Sequence, residues 1–198
     1  DARLVLELMD GALRADAVCV NYCELTELIE INGKACGAVL LDKVNDETLS
    51  VDAALIVDTT GRWTSSFQAD KASFRLTKGI HLVMPRISQD EALLLTAKSD
   101  GRVFFIIPWY GMTLLGTTDS DYVGNLENIP ITETDVSYLL TEANRVLKTA
   151  NWTEQDIIGK FVGVRVLQQS QGSNPSSISR DWLLKTSPNG VLSSIGGK

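Results

Sequence analysis

The sequence has few of the residues that most often build metal sites and disulfide frameworks. It contains three cysteines, Cys19, Cys23 and Cys36, and one histidine, His81. Three residues separate Cys19 from Cys23, but no second Cys or His pair follows to complete a zinc set. Since an odd number of cysteines cannot pair completely, we expect reduced, buried thiols, no metal site and a cytoplasmic protein.

Long apolar runs and an excess of basic residues are also absent. No stretch reaches the roughly 20 apolar residues of a membrane-spanning helix. Eighteen basic against 25 acidic side chains leave a formal net charge of −7, which repels nucleic-acid phosphates. We therefore expect no nucleic-acid partner, and the ordinary hydrophobic fraction of 44% predicts globular folding.

A further absence is the glycine-rich motif G-x-G-x-x-G, which cradles the pyrophosphate of a dinucleotide after a first strand. The chain begins at Asp1, without methionine, and ends on Gly196-Gly197-Lys198 directly after a strand-like run. A domain rarely ends on such a turn. We expect the chain to be an internal piece of a larger enzyme.

The first third of the sequence predicts one helix and several strands. Apolar residues recur at three- and four-residue steps over roughly the first fifteen residues, which is typical of an amphipathic helix. Asn32-Gly33 is a strong hairpin signal between two strand-like runs. The strands predicted in this part are Ala17–Asn21, Glu24–Ile31, Lys34–Leu41 and a buried parallel strand, Ala53–Val57.

The remainder predicts an antiparallel sheet with one helix. Thr132 followed by Asp135 resembles a capping box, and a helical stripe of apolar residues begins directly after it. The strands predicted here are Ile80–Pro85, Arg102–Trp109, Thr113–Thr118, Phe161–Leu167, Trp182–Thr186 and Val191–Ile195.

Positive side chains gather near strand ends late in the chain. Arg165, Arg180 and Lys198 are suited to clamp one phosphate, because guanidinium forks match phosphate oxygens and glycines before a lysine let it approach a ligand. Solvated surface charge is the alternative, and it is weaker for Arg165, whose neighbours Val164 and Val166 point to the opposite face of a strand.

Two other features allow both a chemical and a structural interpretation. His81 is suited to move a proton near neutral pH, although a lone strand histidine is more often structural. The run from Gly116 to Asp121 carries two aspartates, Asp119 and Asp121. A turn stabilised by Asx hydrogen bonds explains these aspartates better than a metal site does.

The order of several segments resembles FAD-dependent glycerol-3-phosphate dehydrogenases, and the resemblance covers nearly the whole chain. Several blocks in the same order are more specific than any lone motif. The blocks are Asp58-Thr59-Thr60-Gly61-Arg62-Trp63, Lys78-Gly79-Ile80-His81-Leu82-Val83-Met84-Pro85-Arg86, Arg102-Val103-Phe104-Phe105-Ile106-Ile107-Pro108-Trp109, Leu115-Gly116-Thr117-Thr118-Asp119, Gly163-Val164-Arg165, Ser179-Arg180-Asp181 and Gly196-Gly197-Lys198.

The resemblance implies an α+β (α/β) fold: an antiparallel or mixed-sheet substrate domain with remnants of a Rossmann-type FAD domain. By similarity, residues 1–65 belong to the FAD-binding domain, residues 66–160 to the substrate-binding domain, and residues 161–198 return to the FAD-binding domain. The cofactor is FAD. Since the glycine-rich motif is missing, the fragment itself is expected to be inactive.

The resemblance also implies roles for particular residues and partners. His81, Arg165 and Lys198 are expected to be catalytic, and Arg165 and Arg180 to bind the substrate, glycerol 3-phosphate. The whole enzyme would oxidise it to dihydroxyacetone phosphate and pass electrons through FAD to quinone, at the inner face of the cell membrane and as a homodimer. The residues expected to touch FAD are Thr59, Thr60, Gly61, Gly196, Gly197 and Lys198.

Two alternatives remain open from the sequence. A non-catalytic module that binds a phosphate ligand would use the same arginines without a flavin. Another FAD-dependent amine or amino-acid oxidase would share the domain plan but would need one arginine for a carboxylate. The two arginines suited to phosphate favour the dehydrogenase.

Overall fold

The computed structural model describes residues 2–66, 74–87, 90–148, 151–168 and 181–196, and the chain divides into two compact units. Residues 1–58 and 186–192 form the first unit, and residues 59–185 and 193–198 form the second. The second unit contains the larger sheet, on which His81 and Arg165 lie.

The first unit combines a helix with a three-stranded antiparallel sheet. Helix α1 spans Ala2–Arg14, and strands β1 (Cys23–Ile31), β2 (Lys34–Asp42) and β3 (Glu47–Asp52) pair in the order β1-β2-β3. Asn32 and Gly33 turn the β1–β2 hairpin with φ angles of 51° and 73°, the left-handed conformations that a tight hairpin turn needs. The predicted helix and hairpin are confirmed.

Three predictions for this unit are wrong. Residues 17–21 form no strand, and the predicted parallel strand at 53–57 is reduced to its last residue, which begins the two-residue strand β4 (Val57–Asp58), with Leu55 59% exposed. Strand β3, which pairs with β2, escaped prediction because it is short and all six of its residues are exposed. The cysteines are free, as expected, but not buried: Cys19 is exposed and the other two are half-buried.

The second unit is built on an antiparallel sheet, as predicted, and the sheet has six strands among the described residues. Its path is β10-β5-β8-β7-β6, with β9 pairing with β5. Two 3-10 helices, Gly61–Ser66 and Glu154–Asp156, lie in the connections, and strands β11 and β12 follow the sheet in sequence. The strands are β5 (Phe74–Met84), β6 (Leu93–Thr96), β7 (Val103–Trp109), β8 (Met112–Gly116), β9 (Ser120–Asp121), β10 (Gly159–Gln168), β11 (Trp182–Thr186) and β12 (Leu192–Gly196).

Helix α2 (Glu133–Val146) covers one face of this sheet. Thr132 caps it in a reciprocal capping box with Asp135, as predicted, and Lys78 of β5 donates from its Nζ to Asp135 at 2.5 Å and to the carbonyl of Pro130 at 3.2 Å. The core between helix and sheet contains Ile80, Leu82, Met84, Ile106 and Leu115 from the strands and Val136, Leu139, Leu140 and Ala143 from α2.

The described residues combine two α-helices with mostly antiparallel sheets, which confirms the predicted α+β class. Over the described residues, neither helix is long and apolar enough to cross a membrane. Because α2 packs on one face of the large sheet, the side chains that alternate to the opposite face are not part of the helix–sheet core.

Candidate functional site

The register of the large sheet brings His81 and Arg165 to the same face. His81 of β5 lies opposite Phe161 of β10 and Gly116 of β8, and Arg165 of β10 lies opposite Thr77 of β5. Side chains two or four positions apart on a strand share a face. His81 and Arg165 are therefore both on the face away from α2, as two of the predicted site residues must be if they act together.

The side chain of Arg165 is 9% exposed and lies directly over a glycine. A Cβ atom added at Gly79 would come within 2.4 Å of both terminal nitrogens of the Arg165 guanidinium. That separation is far below a van der Waals contact, so only glycine allows the guanidinium to occupy this place. The surface-charge interpretation of Arg165 is wrong.

Three groups of the loop after β8 hold this guanidinium. Arg165 donates from Nη1 to the Thr118 carbonyl and to Asp119 Oδ1, both at 3.3 Å, and from Nη2 to Thr117 Oγ1 at 2.9 Å. We call Thr117, Thr118 and Asp119 the arginine collar. A guanidinium held at several points loses little further freedom when it binds an anion.

The collar accounts for one of the two aspartates that raised a metal interpretation. Asp119 pairs with Arg165, and Asp121 pairs with Arg75, whose hydrogen bond lowers the pKa of the Asp121 carboxyl. Among the described residues, no group of three or more His, Cys, Asp and Glu is arranged to hold a metal ion. Sequence reasoning missed the ion pair with Arg165, because the partners are 46 residues apart.

The imidazole of His81 is fixed by contacts on two sides. Its ring stacks on Phe161 with centroids 4.9 Å apart and an interplanar angle of 13°. A Cβ atom at Gly116 would come within 2.4 Å of His81 Cδ2, so the imidazole packs on that glycine. Phe161 is itself 47% exposed, which leaves the stacked pair at the edge of open space.

A small cavity is lined by both His81 and Arg165. It has a volume of about 180 Å³ and is lined by Gly79, His81 and the β10 residues Phe161–Arg165. No atom lies within 4 Å of a Cβ built on Gly163, so the middle of β10 faces open space. At about 30 Å³ for each water molecule, the cavity has the size of a small organic molecule rather than of a dinucleotide.

Two glycines of the predicted cofactor-binding segments adopt backbone conformations that favour glycine. Gly61 and Gly196 have φ angles of 59° and 79°, and Gly61 begins a 3-10 helix that contacts β10. A Cβ at Gly196 would lie 2.8 Å from the Asp181 carbonyl, so this position requires glycine. Thr60 Oγ1 is 3.4 Å from Thr64 Oγ1, whereas Thr59 is exposed.

Part of the predicted site cannot be placed. Arg180, Gly197 and Lys198 lie outside the described residues. The residues that the structure does bring together are Arg165 and His81, and those that sequence reasoning did not assign to the site are Gly79, Gly116, Phe161 and the arginine collar. A glycine two positions before His81 was a usable signal, because it must share the histidine's face.

Comparison with known proteins identifies the family. The sequence profile described as "DAO: FAD dependent oxidoreductase" matches residues 1–198. The chain is 35% identical over 204 residues to the aerobic glycerol-3-phosphate dehydrogenase of Bacillus subtilis (strain 168), a match that covers 100% of the chain and 37% of that relative.

Solved structures agree with this assignment. The glycerol-3-phosphate dehydrogenase from Bacillus halodurans complexed with FAD is similar with a TM-score of 0.86 and 31% identity, over 100% of the chain and 39% of that protein. The L-proline dehydrogenase from P. horikoshii shares the fold, with a TM-score of 0.66 and 12% identity over 94% of the chain and 47% of that protein. Because a matching profile spans all 198 residues, the chain belongs to the family of FAD dependent oxidoreductases.

Proposed function

We propose that the full-length protein containing this chain oxidises sn-glycerol 3-phosphate to dihydroxyacetone phosphate with FAD as its cofactor. The chain spans 37% of the B. subtilis relative named for this activity, so the activity belongs to a larger protein. The observation that carries the proposal is the buried guanidinium of Arg165, fixed at the edge of a small cavity that also contains His81. This combination suits a small anionic alcohol.

Arg165 supplies the charge that selects for the phosphate. The guanidinium has five N–H donors, and its fork geometry matches phosphate oxygens two at a time. The phosphate would approach the guanidinium from the cavity side, where Gly163 leaves open space. We propose Arg180 as a second phosphate ligand, on the resemblance alone.

His81 is proposed to accept the proton of the secondary hydroxyl. In the overall reaction, the carbon loses a hydride, the hydroxyl loses a proton and a C=O bond forms. An imidazole is the side chain best suited to take a proton near neutral pH. Stacking on Phe161 and packing on Gly116 restrict the ring to one orientation, which favours a defined proton path. Lys198 is proposed to stabilise negative charge that develops on the oxygen.

The segments around Thr59, Thr60, Gly61 and around Gly196, Gly197, Lys198 are proposed to contact FAD. When bound, FAD supplies the two-electron acceptor for the hydride. The positive φ angles of Gly61 and Gly196 suit backbone amides that approach a cofactor closely. We keep residues 1–65 and 161–198 as parts of the FAD-binding domain and residues 66–160 as the substrate-binding domain.

We make three further proposals for the full-length protein: quinone is the final electron acceptor, the protein lies in the cytoplasm at the inner face of the membrane, and it is a homodimer. They rest on the resemblance to the family of FAD-dependent glycerol-3-phosphate dehydrogenases. Each proposal has its own test. Reduction of a quinone analogue with oxygen excluded tests the electron acceptor, co-sedimentation with anionic vesicles tests the location at the membrane, and the mass in solution tests the homodimer.

The substrate assignment is tested by reduction of the flavin in the full-length protein. Under anaerobic conditions, we expect glycerol 3-phosphate to bleach the visible absorbance of the bound FAD, and glycerol and L-proline to have little effect. Bleaching by L-proline alone would favour the amine or amino-acid oxidase alternative. Binding of glycerol 3-phosphate without any bleaching would favour the non-catalytic phosphate-binding module.

A further inference from the structure

A second arginine of the second unit, Arg102, contacts the arginine collar. Arg102, which directly precedes β7, donates from Nη1 to the main-chain carbonyl of Asp119. The carboxylate of the same Asp119 accepts from Arg165. Asp119 therefore stands between two arginines, with its carbonyl held by one and its side chain holding the other.

Arg102 is itself fixed by three contacts. Its Nε donates to Asp100 Oδ2 at 2.7 Å, and its backbone N–H donates to Asp100 Oδ1 at 3.0 Å. Its guanidinium carbon lies 5.2 Å from the centre of the Tyr138 ring, a cation–π distance. These contacts restrict the orientation of the Arg102 guanidinium.

Helix α2 supplies the other end of this arrangement. Tyr138 of α2 donates from its hydroxyl to Asp100 Oδ1 at 3.0 Å. Burial and the hydrogen bond to Asp100 raise the pKa of Tyr138 to about 12, so the hydroxyl remains a donor at neutral pH. The contacts form a continuous series from α2 to the open face of the sheet, through Tyr138, Asp100, Arg102, Asp119 and Arg165.

We infer that Arg102 is a positioning residue, which fixes Asp119 so that Asp119 can hold Arg165 in the orientation that receives a phosphate. This inference rests on the proposed function, because it assumes that Arg165 is the phosphate ligand. Arg102 does not line the cavity and would act only through Asp119.

The test measures binding of inorganic phosphate to the full-length protein with FAD bound, by isothermal titration calorimetry. Arg102→Met is compared with Arg165→Met, with the double variant, and with Arg86→Met as a matched control. Arg86 also pairs with an aspartate, Asp90, but its side chain is 62% exposed and it does not line the cavity. Bound FAD and the unfolding temperature check that each variant is folded.

We expect Arg102→Met to weaken phosphate binding by roughly fivefold to tenfold, as is common for coupled neighbours in one network. The double variant should bind no more weakly than Arg165→Met alone, because Arg102 acts only through Arg165. If Arg102→Met does not fold, Asp100→Asn, which loosens the hold on Arg102, should weaken binding in the same direction. For glycerol 3-phosphate, KM should rise in Arg102→Met while kcat stays nearly constant.

The inference is overturned if the effects of Arg102→Met and Arg165→Met multiply in the double variant, or if Arg102→Met behaves like Arg86→Met. Unchanged phosphate binding in Arg165→Met would overturn both this inference and the proposed role of Arg165. If phosphate binds through Arg165 in the coupled way expected, but glycerol 3-phosphate does not bleach the flavin, the inference stands and the proposed reaction fails.

Discussion

Replacing Gly79 with alanine should move the Arg165 guanidinium without removing any polar group. The added methyl would stand 2.4 Å from both terminal nitrogens of Arg165 and 2.6 Å from Thr117 Oγ1. Ordinary van der Waals contact begins near 3.4 Å, so the guanidinium must retreat by about 1 Å. Gly79 has no positive φ, so backbone strain does not contribute.

A shift of this size is large for a group that positions a substrate. The hydrogen bond from Arg165 Nη2 to Thr117 Oγ1, now 2.9 Å, would lengthen beyond hydrogen-bonding distance. A misplacement of about 1 Å in a positioning group typically costs about 10²-fold in rate, which corresponds to about 2.7 kcal/mol of transition-state stabilisation. We therefore expect kcat/KM for glycerol 3-phosphate to fall by about that factor.

The assay is steady-state oxidation of glycerol 3-phosphate by the full-length protein, with bound FAD and unfolding temperature measured on the same samples. Gly159→Ala is the matched control, because Gly159 lies on β10 outside the cavity and its added Cβ would meet only Val83 carbons at 3.8 Å. The control should keep its activity. A Gly79→Ala protein that retains FAD and stays within threefold of the parent activity would refute the role given to the guanidinium.

Three further predictions follow from buried contacts of the second unit. Lys78→Met should lower the free energy of unfolding by about 3–5 kcal/mol, because it leaves the carboxylate of Asp135 buried and unpaired, and Lys78→Met with Asp135→Asn should recover part of this loss in thermal unfolding. Burial acts to raise the pKa of Asp135, but hydrogen bonds from Lys78 and Thr132 outweigh it and lower the pKa. The stability that this ion pair contributes should be fully present above about pH 4 and be lost as the pH falls through the lowered pKa. The double variant should lose less stability over the same pH range. Gly116→Ala should displace the His81 ring, since its Cβ would lie 2.4 Å from Cδ2, and should lower kcat more than it raises KM, whereas a rise in KM alone would argue against His81 as the proton acceptor.

Local sequence signals predicted the elements that depend on a few neighbouring residues. Asn32-Gly33 specifies a turn by its own backbone preference, and Thr132 with Asp135 specifies a helix start by hydrogen bonds within one turn. Strand β3 was missed because all six of its residues are exposed, so no pattern of buried side chains marks it. The parallel strand predicted at 53–57 failed for the opposite reason, since an apolar run alone does not guarantee burial: Leu55 is 59% exposed.

The candidate site was predictable only in part. The alternation of Val164, Arg165 and Val166 indicated that the arginine would leave the core-facing side of its strand. Its contacts with Gly79 and Asp119 depend on the register between β10, β5 and the loop after β8, which are far apart in sequence. Register of this kind is fixed by packing across the whole sheet and is not contained in the local sequence.

The central claim is that Arg165 selects glycerol 3-phosphate through its phosphate. The most direct measurement is the ratio of kcat/KM for glycerol 3-phosphate to kcat/KM for glycerol. This ratio is compared between the parent protein and the double variant that carries Arg165→Met and Asp119→Asn. The second substitution avoids leaving the Asp119 carboxylate buried without its partner. We predict that the ratio falls by roughly 10²-fold through loss of activity on glycerol 3-phosphate alone. An equal decrease for both substrates would contradict the claim.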